Sequence, residues 1–183
     1  MTGVQTCALP IFSSGSPLTV GSSISSWTDN AGNTPVIVGD FPKSTGKVTK
    51  VANGVVYFDG LQQVADPAGA GVTTLQSTQG SYSNFAIADS QGKILLVNPA
   101  PGQLGTLGQR WIEGPRSIGL DMNLIKRLKI SERNEFEIRL DAINILNHPN
   151  FGNPNVGINS TNFGRITTAT GSRTFVVNAR VNF

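Results

Sequence analysis

The clearest pattern in the chain is a strict alternation of side-chain type near its C-terminus. The last ten residues, Thr174–Phe183, place an apolar side chain at every second position and mostly polar side chains between them. Because successive side chains of a β-strand point to opposite faces, this segment predicts a strand with one apolar and one polar face. The residues of the apolar face are Phe175, Val177, Ala179, Val181 and Phe183.

The same period of two occurs twice more upstream. Alternation over about 116–130 and over about 135–146 predicts two further strands, which are joined by the polar turn Ser131–Asn134. A helical period of 3.6 would scatter these apolar residues around a cylinder, so strands are favoured. The step Leu124–Ile125 breaks the alternation and predicts a bulge or a membrane boundary.

The connections between these strands differ sharply in length. Ser131–Asn134 is tiny, whereas the connection at 147–172 and the low-charge stretch at 29–115 are long. Short turns on one rim and long loops on the other are typical of an outer-membrane β-barrel, and a terminal aromatic residue fits the same architecture. The predicted fold is therefore all-β: antiparallel strands from the C-terminal end of an outer-membrane β-barrel, incomplete, with long external loops.

Charged residues occupy the polar face of the second predicted strand. Glu135, Glu137, Arg139 and Asp141 alternate with apolar neighbours, so they share one face. On a solvated sheet such a row is ordinary. In a barrel the row would line the wet lumen, where it could pair with charges on neighbouring strands such as Arg180.

The first eleven residues share no pattern with the rest of the chain. MTGVQTCALPI has no basic start and no small-residue cleavage site, so it does not predict a signal peptide. It resembles the translation of a sequencing adapter, and we expect residues 1–11 to be a non-native scar. The native gene is then expected to begin upstream, which makes the chain a C-terminal fragment. Residues 12–28 are interpreted as the remnant of one more strand.

Composition argues against several classes of function. A net charge of +3 with only 14% charged residues gives no basic stripe for nucleic acid. One cysteine and one histidine, His148, give no predicted metal site, cofactor site or catalytic triad. We expect no enzymatic activity and a structural role for His148 in its turn. No apolar run is long enough to predict a transmembrane helix.

Several segments together resemble a known family. Leu140–Pro154 (LDAINILNHPNFGNP), Asn162–Ile166 (NFGRI) and the alternating last strand are similar to the C-terminus of TonB-dependent outer-membrane receptors. The closest group resembles the Oar-like barrels, which carry a carboxypeptidase-regulatory-like domain. The resemblance is strong over roughly Gly102–Phe183 and weak over 29–101.

That resemblance implies the organisation and the partners of the chain. Residues 29–115 are expected to form a long extracellular region, and 116–183 the last three barrel strands, at about 116–130, 135–146 and 173–183, with an extracellular loop at 147–172. The apolar face of the last strand resembles the signal that the barrel-insertion machinery reads. The implied partners are outer-membrane lipid, TonB through N-terminal segments that this chain lacks, and a solute of unknown identity.

One alternative from a different class fits the same alternation. A secreted soluble β-sandwich could bind glycan or protein through residues 29–115. That alternative requires the apolar faces of the strands to pack into a closed core, whereas a barrel requires them to be open to lipid. The two hypotheses therefore differ in the exposure of the apolar row.

Overall fold

The protein is built from β-strands. A computed structural model of the chain describes residues 3–22, 34–41, 46–67, 85–100 and 103–183, and within them no α-helix occurs. In this part of the chain no helix could cross a membrane. The strands are β1 (Val4–Ser13), β2 (Pro17–Leu18), β3 (Val36–Ile37), β4 (Thr49–Val51), β5 (Gly54–Val56), β6 (Leu61–Ala65), β7 (Phe85–Asp89), β8 (Ile94–Val97), β9 (Ile112–Glu113), β10 (Ser117–Lys129), β11 (Glu135–Ile143), β12 (Asn150–Phe151), β13 (Arg165–Ile166), β14 (Ala169–Thr170) and β15 (Thr174–Asn182). The prediction of an all-β fold is confirmed.

The chain divides into two compact units. The strand unit comprises Met1–Ser14, Arg116–Phe151 and Ala169–Phe183, and the loop unit comprises Gly15–Pro115 and Gly152–Thr168. Each unit is therefore assembled from segments that are distant in sequence. The strand unit holds the long strands, and the loop unit holds most of the buried apolar side chains.

The strand unit is one antiparallel sheet with the strand order β1-β10-β11-β15. The short pair β12 and β14 extends the unit at the base of the connection between β11 and β15. Among the described residues, no strand lies on the outer side of β1 or of β15. The sheet is therefore open at both edges, as expected of an incomplete barrel.

The long strands lie close to the segments where the sequence predicts them, with two differences. β11 ends at Ile143, three residues before the predicted end, because Asn144 has a φ of 48°, which an extended strand does not contain. The predicted bulge at Leu124–Ile125 is wrong, since β10 pairs with β11 through this step without a register shift. Ile125 instead lies on the polar face, with Arg139 as its partner.

The start of the chain is part of the sheet. β1 runs from Val4 to Ser13 and pairs residue by residue with β10, from Lys126 to Ser117. The strand predicted within 12–28 thus lies mostly before residue 12, and residues 23–28 are outside the described part of the chain. Pro10 is compatible with β1 because β1 is an edge strand, where a missing N–H need not break a ladder. An adapter origin for residues 1–11 stays a prediction.

The loop unit has a core of its own, although the sequence predicts only a long loop over 29–115. Its sheets have the orders β3-β8-β7-β6, β13-β5-β4 and β2-β9. Its fully buried large side chains are Val20, Pro35, Ile87, Leu96, Ile112 and Ile158. The signal for this core is the pair of short apolar runs FAIAD and ILLV in β7 and β8, which are too short to show a period.

Candidate functional site

The apolar residues of the long strands form one continuous face of the strand unit. The apolar residues of β15 pair with apolar residues of β11: Phe175 with Ala142, Val177 with Leu140, Ala179 with Ile138 and Val181 with Phe136. On the other side of β11, the same four residues, Ala142, Leu140, Ile138 and Phe136, pair with Met122, Leu124, Lys126 and Leu128 of β10. This face is open, since 68% of Val177 and 56% of Phe175 are exposed. An apolar face of this extent marks a surface that meets lipid or another protein.

The height of this face can be worked out along β10. Ile118 and Leu128 are the first and last apolar residues of the row, ten residues apart on one strand. At about 3.3 Å per residue and a strand tilt of about 40°, the row is about 25 Å tall. Outer-membrane barrels carry an outward apolar band of the same height, about 25 Å. The dimension therefore fits a membrane-spanning wall.

Lys126 is the one cation in this apolar row of β10. Its partners are Val4 of β1 and Ile138 of β11, and it lies two residues before Leu128 at the end of the row. A lysine can lay its aliphatic stem along an apolar surface while its ammonium group reaches the polar boundary. Its position near one end of the band is consistent with that arrangement.

The predicted charged residues are brought together on the opposite face. Along β11, Glu135, Glu137, Arg139 and Asp141 have as partners Asn182, Arg180, Asn178 and Val176 of β15. All five residues predicted to face a lumen therefore share one side of the sheet, and Glu137 lies directly across from Arg180. On β11 the residues of this face are charged from Glu135 to Asp141.

Two ion pairs lie on this polar face. The Arg127 Nε donates to Glu137 Oε2 at 2.6 Å, and the Arg139 Nε is 2.9 Å from the Asp141 carboxylate. The Asn123 side-chain amide also donates to Asp141. Both arginine side chains are about half exposed, so water and salt screen each pair and it contributes little to stability. The sequence analysis did not single out Arg127 and Asn123, although the alternation of side chains places both on the polar face of β10.

The polar face forms an open concavity beside the turn Ser131–Asn134. Its volume is about 560 Å³, and its walls include Gln5, Arg127, Lys129, Arg133 and Glu135. Acidic and basic side chains are mixed in this concavity, and it is open to solvent. Within the described residues, no group of three or more His, Cys, Asp or Glu side chains is placed to hold a metal ion.

The residues of the predicted insertion signal lie on an edge of the sheet. β15 is the last strand in the sheet order, and Phe183, just beyond its end, is 95% exposed. At the other end of β15, the guanidinium carbon of Arg173 lies 5.6 Å from the Phe175 ring centroid. The strand thus presents an apolar row, an aromatic residue near each end and a free edge.

The segment that carries the family resemblance has a structural role around Asn144, which is 5% exposed. Its side-chain amide donates to the His148 carbonyl at 3.1 Å and to the Gly171 carbonyl, and its Oδ1 accepts from the His148 N–H at 3.2 Å. The Asn144 N–H donates to Asp121 at 2.8 Å. Asn144 therefore joins the turn after β11, the chain before β15 and β10. The contacts of His148 in this turn are made by its backbone.

Comparison with known proteins agrees with this geometry. Residues 2–176 match the model of the family described as "Outer membrane beta barrel domain". A search of curated proteins and a search of solved structures found no match. The family match covers β1, β10, β11, the loop unit and the start of β15. The chain belongs to the outer membrane beta barrel domain family, and it is a protein of the outer membrane.

Proposed function

We propose that the chain supplies the C-terminal strands of a TonB-dependent transporter that takes up solute across the outer membrane. The proposal is supported by the family membership and by the similarity of Leu140–Pro154 and Asn162–Ile166 to the C-terminal segments of such receptors. The chain acts as a barrel wall and is not an enzyme. In this proposal, energy reaches the transporter from TonB through its plug and N-terminal segments.

The observation that carries the proposal is the apolar row of about 25 Å on one face, backed by a charged row on the other. In the proposed barrel, the Val177 face meets outer-membrane lipid and the Glu137 face meets the wet lumen. The short turn Ser131–Asn134 lies at the periplasmic rim, and the connection at 147–172 lies outside the cell. β15 then runs inward and ends with Phe183 at the periplasmic rim, where the barrel-insertion machinery binds it.

The sandwich alternative is disfavoured by the exposure of the apolar row. A secreted β-sandwich would bury Phe175 and Val177 between two sheets, yet both side chains are mostly exposed in the strand unit. The loop unit, which includes most of the region 29–115 that the sandwich hypothesis assigns to binding, has a compact core of its own. That core is compatible with a folded external region on a barrel, so it does not separate the two hypotheses.

The assignment of the two faces can be tested with a pair of labelled cysteines. In a Cys7→Ser background, Val177→Cys and Asn178→Cys each receive the same environment-sensitive fluorophore, and the full chain is reconstituted into lipid vesicles. We expect brominated lipid to quench the label at 177 and aqueous iodide to quench the label at 178. If neither quencher reaches position 177, the residue lies in a protein core and the barrel wall is refuted.

Coupling to TonB needs a separate experiment in the organism that carries the gene. Strains that lack the gene, that lack TonB, or that lack both are grown on a panel of glycans, peptides and iron chelates. Each compound is the sole source of carbon, nitrogen or iron in its medium. For the solute that the transporter carries, we expect the double deletion to grow no worse than the strain without TonB. A further loss of growth in the double deletion would contradict TonB-dependent uptake.

A further inference from the structure

The loop unit is assembled from two segments that are far apart in sequence. The long segment is Gly15–Pro115 and the short segment is Gly152–Thr168. At one contact, the Gly21 N–H donates to the Val156 carbonyl at 3.0 Å, and the Ile158 N–H donates to the Gly21 carbonyl at 3.0 Å. The short segment is therefore bound by backbone hydrogen bonds on both sides of Gly157.

A second backbone contact joins the other end of the short segment to a different part of the long one. β13 pairs with β5, with Arg165 opposite Val56 and Ile166 opposite Val55. The Tyr57 N–H continues this ladder by donating to the Gly164 carbonyl at 2.8 Å. The short segment thus forms the edge of the three-stranded sheet β13-β5-β4.

Side chains of both segments interdigitate next to this ladder. The rings of Phe58 and Phe163 stack with their centroids 5.2 Å apart. Gly164 has a φ of 74°, and a Cβ built there would lie 3.1 Å from the Phe58 ring. Glycine is therefore required both for the backbone conformation and for the close approach of the ring.

A partly buried polar contact links the short segment to the four-stranded sheet. Asn98 and Asn159 exchange two side-chain hydrogen bonds of 2.9 Å, and Asn98 also donates to the Phe85 carbonyl at 2.9 Å. Gln63 donates to the Ile158 carbonyl at 2.6 Å. Breaking such a network is costly to the extent that it is shielded from water, because the remaining partner then loses its hydrogen bonds.

The short segment also supplies core side chains. Ile158 is 0% exposed and Ile166 is 7% exposed, and they are buried in the same loop unit as Ile87 and Leu96 of the long segment. Removing the short segment would therefore take two buried apolar side chains out of the loop unit. Contacts of this kind make two segments open cooperatively.

We propose that the short segment completes the fold of the loop unit, so that the short and long segments open and close cooperatively, as one folding unit. On the proposed function, which this inference extends, the external face of the transporter contains one movable body here in place of two independent loops. A rearrangement that admits solute then displaces both segments at once. The cooperativity itself does not depend on transport, so it can be tested apart from uptake.

Hydrogen–deuterium exchange on the full chain in detergent micelles tests this inference. Asn159→Ala removes the paired amide from the short segment. We expect exchange to accelerate by the same factor, about tenfold or more, in residues 155–166 and also in residues 54–65 and 94–98 of the long segment. The matched control Thr161→Ala, at an exposed position of the short segment, is expected to leave both segments unchanged.

Two outcomes overturn the inference. If exchange accelerates only in residues 155–166, the segments open independently; if it accelerates in neither segment, the contact does not link them. Exchange in β10 and β11 reports whether the strand unit is still folded. If Asn159→Ala also accelerates exchange in β10 and β11, the milder variant Phe163→Leu, which removes only the ring stack, is used instead. Exchange in the short segment is then compared with exchange in the long segment in the same way. A loss of TonB dependence in the growth experiment would leave this result unaffected.

Discussion

Replacing Asn144 tests the structural role of the segment that carries the family resemblance. Asn144→Ala removes two hydrogen bonds donated to the His148 and Gly171 carbonyls and one accepted from the His148 N–H. It also places alanine at a φ of 48°. The variant therefore frees the turn after β11 from the chain before β15 while leaving both strands chemically intact.

The expected magnitude follows from these contacts. Each hydrogen bond contributes about 0.5–1.5 kcal/mol, and left-handed backbone costs an alanine about 1–2 kcal/mol. Asn144→Ala should therefore lower the free energy of unfolding by about 2.5–6.5 kcal/mol. Asn144→Gly loses the same hydrogen bonds without the backbone cost, so it should be about 1 kcal/mol less destabilising than alanine.

Asn147 offers a matched control for the backbone contribution. It also has a positive φ, of 52°, and it is exposed, with its N–H donating to the Asn144 carbonyl at 2.8 Å. Asn147→Ala keeps that backbone bond and should cost only about 1–2 kcal/mol. The difference between the two alanine variants therefore measures the side-chain hydrogen bonds of Asn144.

The measurement is urea unfolding of the full chain in detergent micelles, followed by the far-ultraviolet circular dichroism of the β-sheet. Stability is taken from the midpoint and the slope of each transition, and unchanged slopes show that the variants unfold in the same way. If Asn144→Ala costs no more than Asn147→Ala, the side chain of Asn144 does not hold the turn and the reasoning is refuted.

Three further predictions test the two faces and the loop unit. In lipid vesicles, Val177→Arg should destabilise the chain by about 2–4 kcal/mol and Asn178→Arg by less than about 1 kcal/mol; equal losses in urea unfolding would contradict the assignment of faces. A double-mutant cycle with Arg127→Met and Glu137→Gln should give a small coupling that falls with added salt, and a large, salt-independent coupling would mean that the pair is buried. Ile87→Ala should lower the stability of the loop unit by about 2–5 kcal/mol, measured by thermal melting, and an unchanged melting temperature would mean that Ile87 does not pack in a core.

The long strands could be predicted because their pattern is local. In β11 and β15, which are nine residues long each, the period of two covers most of the strand, so the faces of Glu137 and Val177 follow from parity alone. The pairing of Glu137 with Arg180 also follows once the register is known. Ile125 was misread because one apolar side chain on the polar face resembles a bulge in the sequence, whereas the ladder passes through it unchanged.

The loop unit could not be predicted because its structure depends on contacts between distant residues. β5 and β13 are two or three residues long, and their pairing joins Val56 to Arg165 across more than a hundred positions. No local period signals such a contact. Asn144 was missed for a related reason: its partner Gly171 lies 27 residues away, and only the folded turn shows that the asparagine connects them.

The strand order has a consequence for any barrel that includes this sheet. β1 is antiparallel to β10, β10 to β11, and β11 to β15, so the two outer strands run in opposite directions. A closed barrel in which every neighbouring pair is antiparallel must then be completed by an even number of further strands, whatever chain provides them. An odd number would bring two parallel strands together at the seam. The parity of the complete barrel is thus already determined by these four strands.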